Sequence, residues 1–264
     1  MEGDFLAVDI GNSNIVTGIW QKGKWTAIGR FSSQPPSDDK RYYERAFQAY
    51  LKENGMVPSS VGSIAISSVV PALTPLWLKT LKGFFPADPL LISSTLFSHL
   101  EMGIIASEEI GNDILCNAYA VFKRYPFDTA VVDFGTALTV TTVSQQAGII
   151  GVSIAPGLKT AAYALFKGTA QLPEVPLVLP ESVLGRNTVQ AIQSGVLYGY
   201  IGLVRYLVEA IREELGNELP VIATGGLSSI LHPLKDFFYY ADPDLTLDGM
   251  RLIYESLAVK ESRN

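Results

Sequence analysis

Short apolar runs and stretches of helical spacing alternate along the 264-residue chain. Three strand-like runs come first, helices and strands then alternate, and a second group of three strand-like runs begins near residue 129. The predicted strands cover 5–9, 15–20, 24–31, 63–69 and 89–93 in the first half, and 129–133, 138–144, 148–154, 220–224 and 237–241 in the second. The predicted helices cover 39–54, 71–84, 113–125, 156–166, 188–215 and 245–257. The pattern therefore predicts two halves with the same order of elements.

This repeated order indicates a duplication, with predicted domains at 1–126 and 127–264. Alternation of strands with helices favours parallel pairing beneath helical layers, and the first three strands of each half are expected to form an antiparallel meander. The predicted fold class is α/β, with a mixed sheet covered by helices in each domain. In such sheets, ligands bind at the carboxyl ends of the strands.

The composition is that of a globular protein, with 48% hydrophobic and 17% charged residues. The formal net charge is -6 and no Lys/Arg-rich stripe occurs, so nucleic acid is not an expected partner. Cys116 is the only cysteine, and His99 and His232 are the only histidines, which argues against disulfides and a His/Cys zinc site. The acidic first residues lack the features of a signal peptide, and Gly, Pro or charge interrupts every apolar run. We therefore expect a cytoplasmic protein with no membrane partner.

One short phrase occurs in both halves, at the end of the first strand of each. It is Asp9-Ile10-Gly11-Asn12-Ser13-Asn14 in the first half and Asp133-Phe134-Gly135-Thr136-Ala137 in the second. Glycine permits a tight turn, the following amides and polar side chains can donate to phosphate oxygens, and the aspartate can hold Mg²⁺ beside them. Each phrase alone is equally compatible with an ordinary hairpin turn. Their matched positions favour two lobes that hold one nucleotide.

Three further glycine-containing motifs lie at predicted turns. Gly111-Asn112-Asp113 begins a helix, where Asp113 is either a first-turn acid favoured by the helix dipole or the acceptor of a hydroxyl proton in phosphoryl transfer. Gly185-Arg186-Asn187-Thr188 begins the longest predicted helix, either as a cap or as a hydrogen-bonding site for a substrate. Thr224-Gly225-Gly226-Leu227 is either a plain strand-to-helix turn or backbone that lies against a flat ring such as adenine.

In this order, the motifs resemble those of type III pantothenate kinase, in the superfamily of acetate and sugar kinases, actin and heat-shock ATPases. The resemblance extends to Pro156-Gly157, to residues 67–71 and to residues 242–247. It implies duplicated actin-like (ribonuclease H-like) domains. It also implies an ATP-dependent kinase that phosphorylates the primary hydroxyl of pantothenate in the first step of coenzyme A synthesis. The implied cofactors are Mg²⁺ and a monovalent cation, K⁺ or NH₄⁺, and the implied assembly is a homodimer.

The resemblance also assigns roles to individual residues. Asp113 would accept the hydroxyl proton, and Asp133 would bind the monovalent cation. The ATP-binding residues would be Asp9, Gly11, Asn12, Ser13, Asn14, Val16, Thr136, Gly225 and Gly226. The substrate-binding residues would be Gly111, Asn112, Asp113 and Thr188, the last of them across the dimer interface.

The chain departs from the family pattern on the pantothenate side. Ile114 stands where the family motif Gly-x-Asp-Arg has arginine, and the short segment 103–111 contains Ser107-Glu108-Glu109 and no tyrosine. A charge-assisted contact to a carboxylate is worth about 1.5–3 kcal/mol, so its loss predicts weakened or retuned substrate binding. Two alternatives therefore stay open: a non-catalytic regulator that binds nucleotide, and a kinase for another small hydroxyl compound.

Overall fold

The computed structural model describes residues 3–35, 41–104, 109–226 and 230–261. The predicted start of the first helix at residue 39, the acidic residue Glu108 and the motif residue Leu227 lie outside these ranges. The chain divides into two compact units, Met1–Lys123 with Leu245–Asn264, and Arg124–Asp244. Among the described residues, no helix combines the length and the apolar character that a membrane crossing requires.

The element order agrees closely with the predicted one. The strands are β1 (Asp4–Ile10), β2 (Asn14–Gln21), β3 (Lys24–Ser32), β4 (Val61–Ser68), β5 (Leu90–Leu91), β6 (Thr129–Phe134), β7 (Ala137–Ser144), β8 (Gly148–Pro156), β9 (Val221–Thr224) and β10 (Tyr240–Ala241). The helices are α1 (Tyr42–Glu53), α2 (Thr74–Phe84), α3 (Asn112–Arg124), α4 (Leu158–Gly168), α5 (Thr188–Leu215) and α6 (Leu245–Glu261). Short 3₁₀ helices cover Pro58–Ser60, Ser94–His99 and His232–Phe237.

The first unit contains a five-stranded mixed sheet in the order β3-β2-β1-β4-β5. The first three strands pair antiparallel, as predicted, and β4 pairs parallel with both β1 and β5. Apolar side chains of the strands, α1 and α2 form one buried cluster that includes Phe47, Trp77 and Ile64. This core holds the carboxyl ends of β1 and β4 side by side, with Ile10 paired to Ser68.

The second unit repeats this arrangement in a sheet of order β10-β9-β6-β7-β8. Strands β6 to β8 pair antiparallel, and β9 pairs parallel with β6 and β10. Its core joins the sheet to α4 and α5 through residues such as Val132, Leu197 and Val204. The two sheets therefore confirm the predicted meander followed by parallel strands.

Helix α6 lies in the first unit, whereas the predicted domain 127–264 would place it in the second. Trp25 Nε1 donates to Asp248 Oδ1 at 3.0 Å, and Thr246 Oγ1 donates to Asn117 Oδ1 at 2.8 Å. A Cβ at Gly249 would lie 1.9 Å from the Cys116 carbonyl oxygen, so α6 contacts the α3 backbone directly. Apolar periodicity predicts that a helix forms here, but it does not specify which sheet the helix covers.

Several predicted boundaries placed at prolines or aromatic residues differ from the structure. The helix predicted from residue 71 begins at Thr74, and the strand predicted at 89–93 is only Leu90–Leu91. The strand predicted at 237–241 is only the two-residue β10, because Phe237 ends a 3₁₀ helix that starts at His232 and has Pro233 in its first turn. Pro156 ends β8 rather than starting α4. Proline fits both the last position of an edge strand and the first turn of a helix, so its presence alone does not separate these alternatives.

Candidate functional site

The first Asp-x-Gly turn joins β1 to β2 and presents polar side chains to solvent. Gly11 N donates to Asn14 O at 3.0 Å, which closes the turn. Ser33, the residue after β3, stabilises this turn. The Oγ of Ser33 donates to Gly11 O at 2.6 Å, and its backbone N donates to Ser13 O at 3.1 Å. The side chains of Asn12, Ser13 and Asn14 are exposed, whereas Asp9 and Val16 are half-buried partners across the sheet. The turn is therefore rigid in its backbone and open on its polar face.

Asp113 lies in the first turn of α3 with its carboxylate folded back over Gly111. Ile114 N donates to Asp113 Oδ1 at 2.8 Å. A Cβ at residue 111 would lie 2.6 Å from the same oxygen, so glycine provides the space that this rotamer needs. Burial raises the pKa of the Asp113 carboxyl above its usual range, and backbone N–H donors partly offset this effect. The group is consequently a stronger proton acceptor than an exposed aspartate.

Asn112 begins α3 and contacts the neighbouring strand. Its Nδ2 donates to the backbone carbonyl of Ser68, the last residue of β4, at 3.0 Å. This contact places the start of α3 beside the carboxyl end of β4.

Asp9 and Asp113 share a neighbour, the fully buried Cys116. Burial raises the pKa of the Cys116 thiol well above its usual range, and the nearby charges of Asp9 and Asp113 raise it further. The thiol is therefore protonated at neutral pH and unsuited to act as a nucleophile. From the sequence, Cys116 argues only against a disulfide and a His/Cys zinc site. Cys116 comes three residues after Asp113, which places both on one face of α3. This spacing is the sequence signal that Cys116 lies near Asp113.

Ile114 is buried and supplies no charge to this region. In the segment before it, Ser107 and Glu108 lie outside the described residues, and Glu109 is exposed. Within the described ranges, no three His, Cys, Asp or Glu side chains gather as a metal-binding group.

The second Asp-x-Gly turn lies in the second unit, where the start of α4 packs against its backbone. Thr136 O accepts hydrogen bonds from Gly157 N at 2.9 Å and from Thr160 Oγ1 at 2.8 Å. A Cβ at Gly157 would lie 2.3 Å from Thr136 O, so the backbone of Pro156-Gly157 packs closely against the backbone of this turn. The side chain of Thr136 itself stays exposed.

The two glycines after β9 differ from each other. Gly225 has φ +89°, and a Cβ there would lie 2.6 Å from Asp133 Oδ1 and 2.7 Å from Phe134 N. No atom of a described residue lies within 4 Å of the Cβ position of Gly226. Gly225 is therefore required for packing against Asp133, whereas none of the described residues packs against the Cβ position of Gly226.

Thr188 is the exposed first residue of α5, and the residues before it form a helix cap. Gln190 N donates to Asn187 Oδ1 at 2.9 Å, and Gln190 Oε1 accepts from Arg186 N, one residue before the N-cap, at 3.1 Å, an arrangement similar to a capping box. A Cβ at Gly185 would lie 2.4 Å from Ala191 N. Gly185 and Asn187 thus have structural roles.

Thr188 also borders an apolar groove of about 390 Å³ between α4 and α5. The groove is lined further by Leu165, Leu172, Ala191, Ile192, Gly195 and Val196.

Within the first unit, the structure brings together Asp9 and Asp113 around Cys116 and places Asn112 beside β4. Within the second unit, it brings together Asp133 and Gly225, with Thr136 in the adjacent turn. Thr188 lies at the start of α5, next to the α4–α5 groove.

Solved structures support the fold. A protein from Campylobacter jejuni, described as a conserved putative Baf family transcriptional activator, aligns with a TM-score of 0.58 at 20% identity, over 98% of this chain and 99% of its own. MreB5 of Spiroplasma citri bound to AMPPNP aligns with a TM-score of 0.54 at 11% identity, over 100% of this chain and 99% of its own. With the two mixed sheets, these likenesses confirm the predicted duplicated actin-like fold.

Sequence relatives are more specific. The model of the family "Type III pantothenate kinase" matches residues 5–210. A curated type III pantothenate kinase from Dehalococcoides mccartyi is 37% identical over 257 residues, which are 97% of this chain and 98% of the relative. The chain therefore belongs to the type III pantothenate kinase family.

Proposed function

We propose that this protein transfers the γ-phosphoryl group of ATP to the primary hydroxyl of pantothenate, the first step of coenzyme A synthesis, with Asp113 as the proton acceptor. The observation that supports this role is the half-buried Asp113 carboxylate, whose pKa is raised by burial and whose Oδ1 lies over Gly111, in the unit that also contains the Asp-x-Gly turn after Asp9. Membership of the kinase family favours this function over a non-catalytic regulator.

Asp113 acts on the hydroxyl in this mechanism. The hydroxyl O–H donates to the carboxylate, the hydroxyl oxygen forms a bond to the γ-phosphorus, and the bond from that phosphorus to the β–γ bridging oxygen breaks to release ADP. The proton moves to Asp113. An alcohol is too weak an acid to lose its proton first, so the transfer is late and Asp113 mainly orients the nucleophile.

The turn at 11–14 would hold the phosphates in the first unit. Its exposed Asn12, Ser13 and Asn14 offer amide and hydroxyl donors around a backbone already closed by Gly11. The Asp9 carboxylate would hold Mg²⁺, which prefers oxygen ligands and is commonly bound by one or two carboxylates together with phosphates and water. Bound Mg²⁺ offsets the charge that develops on the phosphate oxygens.

Asp133 would hold the monovalent cation, K⁺ or NH₄⁺, in the second unit. Its Oδ1 lies in a notch that exists because Gly225 has no side chain, and such an oxygen suits either cation. The exposed Thr136 would contact ATP, and the open space beside Gly226 suits the flat adenine ring.

Thr188 would contact pantothenate, and α5 would form the interface of a homodimer. Gly195, Gly199 and Gly202 lie on one exposed face of α5, and no described residue from elsewhere in the chain has an atom within 4 Å of their Cβ positions. Tyr206 continues this face and is 73% exposed. Each helical glycine costs about 0.5–1 kcal/mol relative to alanine, a cost that close approach of a second α5 would offset.

The test is ADP release by the purified protein with ATP, Mg²⁺, K⁺ and pantothenate, with Asp113→Asn alongside. The expected result is pantothenate-dependent turnover that falls about 100-fold or more in the variant. ATP binding without turnover of any hydroxyl compound would favour the regulator. Turnover with another small hydroxyl compound, but not with pantothenate, would favour the second alternative.

A further inference from the structure

We infer that Asn112 is a positioning residue for Asp113, and that it acts by fixing the start of α3 to the carboxyl end of β4. This inference rests on the proposed function. It replaces the sequence-based expectation that Asn112 binds the substrate.

The Asn112 side chain is directed at the main chain of the neighbouring strand. Its Nδ2 donates to Ser68 O at 3.0 Å across 44 residues of sequence. The acceptor residue is itself fixed, because Ser68 Oγ accepts from Val70 N at 3.1 Å and from Thr74 Oγ1 at 2.8 Å. Asn112 is therefore attached to a rigid turn.

This turn is attached in its own right to the strand that carries Asp9. Val69 N donates to Ile10 O at 3.0 Å, and Ile10 pairs with Ser68 in the parallel β1–β4 register. Two hydrogen bonds thus link the residue after Asp9 to the residue before Asp113. The link sets the spacing between the phosphate-binding turn and the proton acceptor.

The Asp113 carboxylate has little freedom to compensate for a shift of the helix start. Ile114 N holds its Oδ1 at 2.8 Å, and the same oxygen fills the space that a Cβ at Gly111 would occupy. Leu115 N also donates to Gly111 O at 3.0 Å, so residues 111–115 move as one turn. A displacement of about 1 Å at a reacting group costs up to about 100-fold in rate.

The experiment compares Asn112→Ala and Asn112→Asp with Asn54→Ala. Asn54 is a matched control, because its Nδ2 also donates to a backbone carbonyl, that of Tyr50 at 2.8 Å, at the end of α1. Asn112→Asp keeps the shape of the side chain and removes the donor, which guards against a folding defect specific to alanine. Calorimetric ATP-binding stoichiometry gives the folded fraction of each variant.

The expected result is a kcat lower by about 10- to 100-fold in both Asn112 variants, with full ATP-binding stoichiometry and KM values for ATP and pantothenate within about threefold of wild type. Asn54→Ala should retain kcat within about twofold. A raised KM for pantothenate at unchanged kcat would make Asn112 a substrate ligand and overturn the inference.

A double-mutant cycle separates positioning from general structure. If Asn112 acts through Asp113, adding Asn112→Ala to Asp113→Asn lowers the residual single-turnover rate by less than about twofold. Additive losses would overturn the inference. Failure of the wild type to phosphorylate pantothenate contradicts the proposed function itself, whereas equal rates in wild type and Asn112→Ala contradict only the positioning role.

Discussion

The two Asp-x-Gly turns occupy equivalent places in their sheets. Asp9 lies near the end of β1, paired with Val16 of the antiparallel neighbour and Ser67 of the parallel neighbour. Asp133 lies near the end of β6, paired in the same way with Thr139 and Thr224. Asp9 and Asp133 therefore occupy equivalent backbone positions, each in the sheet of its own unit.

What packs against each turn is different. In the first unit, the buried thiol of Cys116 has both Asp9 and Asp113 nearby, and the turn itself is open. In the second unit, Gly225 contacts Asp133, and Gly157 with Thr160 covers the backbone of the turn. One duplicated element has therefore acquired two environments, with a second carboxyl group and a buried thiol nearby in one unit and a glycine-lined notch in the other.

Exchanging each aspartate for asparagine should have the largest effects and should separate the two roles. Asp9→Asn is expected to lower turnover about 10- to 100-fold and to raise the Mg²⁺ requirement, since a charge-assisted contact is lost. Asp133→Asn should instead raise the K⁺ concentration for half-maximal activity by a similar factor. Steady-state rates measured at increasing Mg²⁺ and at increasing K⁺ test both expectations. If the two variants showed the same dependence on each ion, Asp9 and Asp133 would not bind different ions.

Gly225→Ala, compared with Gly226→Ala, tests the notch beside Asp133. The new Cβ would overlap Asp133 Oδ1 and the Phe134 backbone at a residue with φ +89°, so unfolding free energy should fall by roughly 2–5 kcal/mol. Gly226→Ala should change it by less than about 0.5 kcal/mol, as for other open surface sites. Urea unfolding measures both, and equal midpoints would rule out the close contact.

Gly157→Ala, compared with Gly11→Ala, tests the packing of the turns themselves. A Cβ at 157 would lie 2.3 Å from Thr136 O, whereas one at 11 would lie 3.0 Å from Asn14 O. We expect a loss of about 1–3 kcal/mol for Gly157→Ala and less for Gly11→Ala, again by urea unfolding. The reverse order would show that the first turn is the more tightly packed.

Asp113→Asn should give a smaller, pH-dependent gain in stability. Burial raises the pKa of Asp113 in the folded state above its unfolded value, so ionisation costs nothing below the unfolded pKa and destabilises the fold as pH rises through the folded pKa. Asparagine removes this cost. Thermal unfolding should therefore show the variant more stable relative to wild type at about pH 7 than at about pH 3; a constant difference would argue against a raised pKa.

The sequence predicts the bounds of a helix best where residues at the ends of that helix determine them. Helix α5 was predicted at 188–215 and is observed over the same residues, because Asn187 caps its start and Gly216, with φ 67°, ends it. The sheet covered by α6 could not be predicted, because its contacts with Trp25, Asn117 and Cys116 join distant parts of the chain.

The candidate site shows the same division. Its motifs were located from the sequence, since each follows a strand or begins a helix. The residue types alone do not determine the roles of Asn112, Gly185 and Asn187, because caps, close contacts and ligand-binding turns use the same residue types. Only the contacts with Ser68, Ala191 and Gln190 separate these roles.

The most direct test of the proposed reaction is ³¹P NMR of wild type and Asp113→Asn with ATP, Mg²⁺, K⁺ and pantothenate. The wild type is expected to form phosphopantothenate and ADP in equal amounts. The variant is expected to bind ATP but to form product at least about 100-fold more slowly. Product formation at the wild-type rate by Asp113→Asn would contradict the assignment of the proton acceptor, and its absence in the wild type would contradict the proposed reaction.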